Sequence, residues 1–202
     1  MEKTNCGLGK VKNAFCNFAA EIMQLPSLLL SSAREMKNVR ALVGAAMLAA
    51  LNIVIAQFEI PVGPYVKISF SFLTYGVSGM LFGPLTTGVV GIAADLIKYM
   101  VSPDGGFHPG FTLNEFVIGF LYGIFLYRKK VTILRSFVTK LVTVFIINLF
   151  LTPLWLAQLY GEAYQFMVSA RLIKNAVMLP IDTALLFFVL TFVQKTQKRL
   201  YH

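Results

Sequence analysis

Charge is scarce in this sequence. Only 13% of its 202 residues are Asp, Glu, Lys or Arg, about half the ~25% of a soluble domain. A chain of this length that is 57% hydrophobic, with a mean hydropathy of +0.71, has more apolar surface than one core can hide. The excess must face lipid. Cysteine is nearly missing too. Cys6 and Cys16 form neither a CxxC pair nor a zinc cluster, so no metal is expected and both are read as free thiols in a reducing compartment. No GxxxxGK[ST] loop occurs. Gly9-Lys10 lacks both the earlier glycine and the following hydroxyl residue, which excludes ATP hydrolysis by the chain itself. HExxH is absent, and two histidines offer little for an intramembrane hydrolase. No two-halves repeat appears, which counts against a typical secondary transporter. No cofactor is expected.

What is present is a series of apolar runs separated by basic links. The first span is expected over Ala41–Phe58. Val66–Val101 is too long for one helix, and Gly83-Pro84 divides it into a second and a third. The fourth covers Phe111–Tyr127. The fifth runs over Ile133–Tyr160 with a bend at Pro153, and the sixth over Val168–Val193 with Pro180 inside it. Each approaches the ~20 residues that cross a ~30 Å hydrocarbon layer, the second and third falling short. The expected fold is all-α, a six-transmembrane-helix bundle, with a cytoplasmic segment over residues 1–38, a membrane domain over 39–195 and a basic tail over 196–202. Ser32 and Glu35 have capping-box spacing and are read as the start of a helix after a surface helix. A signal peptide is disfavoured, because Gln24 and Pro26 interrupt the short apolar core.

The net charge of +9 comes from basic residues in three clusters: six before Ala41, then Arg128, Lys129, Lys130 and Arg135, then Lys195, Lys198 and Arg199. Scattered between apolar segments, they suit a membrane surface and not nucleic acid. Six crossings put all three on one side, so both termini are read as cytoplasmic.

Ionisable groups inside a bilayer are expensive and mark cavities or pathways. Asp95 and Lys98 are three apart on the third span and share a face. Arg171 and Lys174 repeat that spacing at the outer start of the sixth, with Asn175 beside them. Two cations at an outer mouth would suit a dicarboxylate, and a buried carboxylate would suit a heterocycle rich in N–H donors. Tyr99, Phe107, Phe111 and Trp155 offer flat faces for stacking, and His108 sits in the outer loop. The plain alternatives are a structural ion pair for Asp95–Lys98, snorkelling for Arg171 and Lys174, and ordinary packing for the aromatics. Asp182 satisfies a backbone break at Pro180 on the plain reading. Glu115 pairs with Thr112 in a second capping box. The Gly- and Pro-rich stretch Ser102–Thr112 would make an outer lid. Ala41, Ala45 and Ala49, with Ala46 and Ala50, lie four apart on the first span and let another helix approach closely.

The stretch Pro103-Asp-Gly-Gly-Phe-His-Pro-Gly-Phe-Thr-Leu113 and the following Gly119-Phe-Leu-Tyr-Gly123 carry a family resemblance. Ala46-Met-Leu-Ala-Ala-Leu51, Leu154-Trp-Leu156, Leu159-Tyr-Gly161, Arg171-Leu-Ile-Lys174 and Leu179-Pro-Ile181 add to it. Together they resemble the folate-specific S components (FolT family) of energy-coupling factor (ECF) vitamin transporters, over most of the chain after Leu30. The resemblance implies a six-helix substrate-binding subunit in a bacterial plasma membrane. Its partners would be a membrane T component and two ATPase subunits, the T component meeting the alanine stripe. It implies that Asp95, with Thr112 or Asn148, reads the pterin edge, that Trp155 and nearby phenylalanines stack on the ring, and that Arg171, Lys174, Lys98 or His108 face the glutamate carboxylates. Thr152-Pro153 stands where the family pattern has Asn-Thr, and Asn148, one turn earlier, is the compensating candidate. Rival readings are an S component for thiamine, riboflavin or a pyrimidine precursor, a membrane-embedded lipid enzyme, and a scaffold or small channel.

Overall fold

The structure is a computed structural model and describes residues 25–63, 66–102, 108–160 and 164–200. Cys6, Cys16, Phe107 and most of the expected lid lie outside the described residues. Helix α1 (Leu25–Glu35) leads into α2 (Val39–Ala56), opened by Asn38, whose Oδ1 accepts from the Arg40 N–H at 3.1 Å. The segment read as an outer loop holds a short antiparallel hairpin, β1 (Ile60–Gly63) and β2 (Val66–Ile68), with Ile60 opposite Ile68. Strands this short show no alternating pattern to read. Then follow α3 (Phe72–Phe82), α4 (Pro84–Val101) and α5 (Pro109–Leu126). Next come α6 (Ile133–Thr143), a π-helical segment (Val144–Leu151) and α7 (Thr152–Tyr160), and α8 (Tyr164–Leu200) completes the described chain.

Among the described residues, five helical stretches are long and apolar enough to cross a membrane: Val39–Ala56, Pro84–Val101, Pro109–Leu126, Ile133–Leu159 and Lys174–Gln197. Phe72–Phe82 is a shorter apolar helix. Their outward faces stay apolar, as with Val43, Met47 and Val54 on α2 and Phe188 and Phe192 on α8. A surface like this needs hydrocarbon around it, and the chain is a multi-pass membrane protein.

Gly83 ends α3 at φ 84°, a backbone region open to glycine, and Pro84 opens α4 where its missing N–H costs nothing. The expected break therefore falls where the dipeptide sits. Ser32 is a correction. It does not open a helix but lies inside α1, fully buried. Its Oγ accepts from the backbone N–H of Leu85 at 3.1 Å and Thr86 at 3.3 Å and donates to the Phe82 carbonyl at 3.0 Å. A side chain from α1 thus satisfies donors that the start of α4 leaves open. The bend expected at Pro153 is a stretch of π-helix just before it. Pro153 has no N–H and its ring crowds the preceding turn, so a widened turn accommodates both.

The core lies between α3, α5 and α8, around Phe72, Tyr75, Met80, Tyr122, Phe125, Leu126, Leu186 and Leu190. Helices α4 and α5 pack closest. A Cβ at Gly119 would collide with the Thr87 carbonyl, and one at Gly123 with the Pro84 backbone. Because the obstacle is backbone, it cannot rotate away. Gly119→Ala is expected to lower stability by about 1–3 kcal/mol, read as earlier thermal unfolding in detergent. An unchanged transition would show that the two helices can separate at no cost.

Candidate functional site

A cavity of about 180 Å³ opens among the described helices. Glu59, Ser69 and Ser71 flank it from the hairpin region. Phe72 and Tyr75 come from α3, Lys98 from α4, and Glu115, Ile118 and Tyr122 from α5. The α6 and π-helical stretch supplies Lys140, Thr143, Val144, Ile147 and Asn148, and α8 supplies Lys174, Asn175 and Asp182. Three lysines and three carboxylates of one membrane protein therefore share one hollow.

Two of these groups are locked together. Lys140 Nζ lies 3.0 Å from Asp182 Oδ2 and 3.5 Å from the centroid of the Phe72 ring. Lys140 is only 7% exposed, so its charge is held by a carboxylate and an aromatic face together. On the next wall the Tyr75 hydroxyl donates to Glu115 Oε2 at 2.7 Å. Two polar atoms on the lining have no hydrogen-bond partner among the described residues, Tyr122 Oη (residue 0% exposed) and Asn175 Nδ2 (7% exposed). Buried donors are normally paired, which leaves these two available to a bound solute.

Of the residues singled out in the sequence, Lys98, Asn148, Lys174 and Asn175 line this cavity. The other described ones lie outside its lining. Thr112 donates to Asp95 Oδ2 at 2.7 Å across α4 and α5. Trp155 Nε1 donates to Asn114 Oδ1 at 3.1 Å, and Asn114 Nδ2 donates to Thr152 Oγ1 at 3.2 Å. His108 sits 5.5 Å from the Trp155 ring and 5.9 Å from the Phe111 ring, centre to centre. Tyr99 and Arg171 are half-buried and outside the lining. The Thr112–Glu115 capping box does not form. Helix α5 begins three residues earlier at Pro109, where His108 Nδ1 accepts from the Gly110 N–H at 3.1 Å, which leaves Thr112 and Glu115 to tertiary partners. On α2, Ala41, Ala45 and Ala49 are buried against the chain's own bundle, while Ala46 and Ala50 face outward.

Sequence reasoning missed Tyr75, Tyr122, Lys140 and Glu59, and gave Glu115 and Asp182 local explanations. Lys140 had the clearest signal, a lone cation between Phe137 and Leu149 in an otherwise uncharged run.

A helical membrane bundle with a polar internal cavity and no metal-binding cluster among its described residues has the form of a solute-holding membrane subunit. The family model for the substrate-specific component of ECF transporters matches residues 40–192, and the chain belongs to that family. It is a transporter component and not an enzyme. It is 36% identical over 152 residues to the folate transporter FolT of Clostridium novyi, covering 75% of this chain and 88% of the relative. The folate transporter FolT of Leuconostoc mesenteroides is 26% identical over 172 residues, 81% of this chain and 92% of the relative. Among solved structures, that of FolT bound with folic acid superposes with a TM-score of 0.69 at 34% identity, over 75% of this chain and 91% of that one.

The ion pair yields a prediction. Asp182→Ala leaves Lys140 buried without its partner and is expected to cost about 3–5 kcal/mol of stability, most of which the apolar double variant Lys140→Met/Asp182→Leu recovers. Thermal unfolding in detergent measures both, and a single variant as stable as the parent would show that the pair carries no such weight.

Proposed function

We propose that this chain binds folate from outside the cell and delivers it inward together with a membrane T component and two ATPase subunits. The observation that carries the reading is a cavity lined by Lys98, Lys174 and Asn175 in a chain related to folate transporters along most of its length. Folate is a flat, donor-rich heterocycle joined to a dianionic glutamate. Lys98 and Lys174, with Arg171 one helical turn before Lys174, face its carboxylates in this reading. Asn148 and Asn175 add neutral contacts. Asp95, holding Thr112, and the cluster of His108, Phe111, Thr152 and Trp155 brace the adjoining wall, with Tyr99 and Phe107 as further faces for stacking in this reading.

The chain crosses a bacterial plasma membrane six times, counting the short α3 as the second crossing, with both termini cytoplasmic. Residues 39–195 form the membrane domain, preceded by a cytoplasmic segment over 1–38 and followed by a basic tail over 196–202. The basic clusters on one set of links support this orientation. On α2 the outward pair Ala46 and Ala50 is the small-residue surface the T component meets.

Titrating the purified protein with folic acid while following Trp155, its single tryptophan, is expected to give a saturable fluorescence change that thiamine and riboflavin do not reverse. Absence of saturation, or displacement by those vitamins, overturns the folate assignment. Ala50→Leu is expected to leave folate binding intact while abolishing co-purification with the ATPase subunits. Normal co-purification would remove this face from the interface.

A further inference from the structure

We propose that the link between α5 and α6 holds one anionic phospholipid, its headgroup phosphate on Arg128 and neighbouring cations and an acyl chain along the outer face of α6. The inference is independent of the folate reading.

The link, residues 127–132, joins two stretches long and apolar enough to span a membrane, Pro109–Leu126 and Ile133–Leu159, so it sits at a bilayer surface. It contains Arg128, Lys129 and Lys130, and Arg135 follows in the first turn of α6. No Asp or Glu occurs in the sequence between Glu115 and Glu162, so the segments that meet here bring only positive charge.

The backbone sets Arg128 apart from an ordinary juxtamembrane cation. Leu126 to Lys129 form a tight turn, in which the Lys129 N–H donates to the Leu126 carbonyl at 3.2 Å. Tyr127 has φ −60° and ψ 124°, and Arg128 has φ 53°. These are the angles of a type II turn, whose third residue needs positive φ and is ordinarily glycine or asparagine. Arg128 is the one non-glycine residue with positive φ among the described residues. An arginine there gives up stability that glycine would keep. What it gains is a cation in a fixed place: Arg128 is exposed, and its guanidinium lies 5.0 Å from the centroid of the buried Tyr127 ring.

The surroundings are braced as well. Arg135 Nη1 donates to the Phe125 carbonyl at 3.4 Å, and Thr132 Oγ1 accepts from the Arg135 N–H at 3.3 Å. Gln194 Nε2 donates to the Lys129 carbonyl at 3.4 Å, which ties the link to α8. A planar guanidinium held this way offers paired N–H donors that match a phosphate. Directly beyond the cations, Leu134, Phe137 and Leu141 are exposed on α6 at helical spacing, with Ile133 beside them. A soluble phosphate would use only the cations. A phospholipid uses the cations and the apolar ridge together.

Arg128→Gly removes the cation and relieves the turn. In nanodiscs of phosphatidylcholine alone, the full-length variant is expected to unfold at the parent's temperature or above. Phosphatidylglycerol added to the nanodiscs is expected to raise the parent's unfolding temperature, and Arg128→Gly is expected to need about tenfold more of it for the same rise. Arg128→Lys keeps the charge and loses the planar fork, and is expected to fall between the two. Lys195→Gln removes an equal charge from an exposed position on α8 and is expected to shift the titration far less than Arg128→Gly. A parent indifferent to phosphatidylglycerol overturns the proposal. So do equal shifts in Arg128→Gly and Lys195→Gln, which report a diffuse field, and equal stabilisation of the parent by soluble glycerol phosphate, which reports a free-phosphate site. An Arg128→Gly variant that unfolds earlier in phosphatidylcholine gives Arg128 a structural role and overturns it too.

Discussion

A charge in hydrocarbon must be paired or neutralised, and that constraint shapes this protein. Lys140 and Asp182 come from helices distant in sequence, and they meet at 3.0 Å with the Phe72 ring against the ammonium. Breaking such a pair costs far more than forming it gains, so α6 and α8 are held in one relative position. The same rule turns Lys98, Lys174, Glu59 and Glu115 toward the shared hollow. The cavity is therefore not a defect in packing. It is where a chain poor in charge can keep its charges.

Around that hollow the bundle is rigid for a different reason. Gly119 and Gly123 let α4 and α5 approach until backbone meets backbone, where dispersion contacts replace the hydrophobic drive that lipid cannot supply. Ser32 ties α1 to the break between α3 and α4 by accepting from the Leu85 and Thr86 N–H groups. The walls carrying Tyr75, Lys98 and Glu115 thus sit on helices that cannot slide, as a pre-organised site requires.

Five of the expected spans were legible in the sequence because hydrocarbon thickness sets their length, and the Gly83-Pro84 break because only such a dipeptide fits it. The hairpin at Ile60–Ile68 was not legible, since strands of three and four residues carry no period. Both capping boxes were misread for one reason. Thr112 with Glu115, and Ser32 with Glu35, have the right spacing for a local bond, but tertiary partners won: Asp95 for Thr112, Tyr75 for Glu115, and the start of α4 for Ser32. Spacing reports what can bond locally and not what competes from another helix. Of the charged lining, Lys98 and Lys174 had been singled out as ligand contacts, while Glu115 and Asp182 had been given local roles. Lys140 was overlooked because it lacked a charged neighbour in sequence, and its partner lies forty-two positions away.

The two surfaces that a transporter subunit needs are kept apart here, and α2 shows how. Its alanines at four-residue spacing fall into two stripes. Ala41, Ala45 and Ala49 face the bundle and Ala46 and Ala50 face outward, a division that periodicity alone leaves open. The buried stripe continues to Asn52, whose Nδ2 donates to the Ser71 carbonyl at 3.3 Å and to Thr74 Oγ1 at 2.5 Å. Ser71 lines the cavity. One helix thus leaves its outer stripe exposed while its inner face holds a cavity wall through a buried amide. A shift of the Ser71 wall strains those bonds before it disturbs the outer stripe, because they join Asn52 directly to that wall. Any coupling between an occupied cavity and a docked partner along this route therefore runs through Asn52, a residue that touches neither.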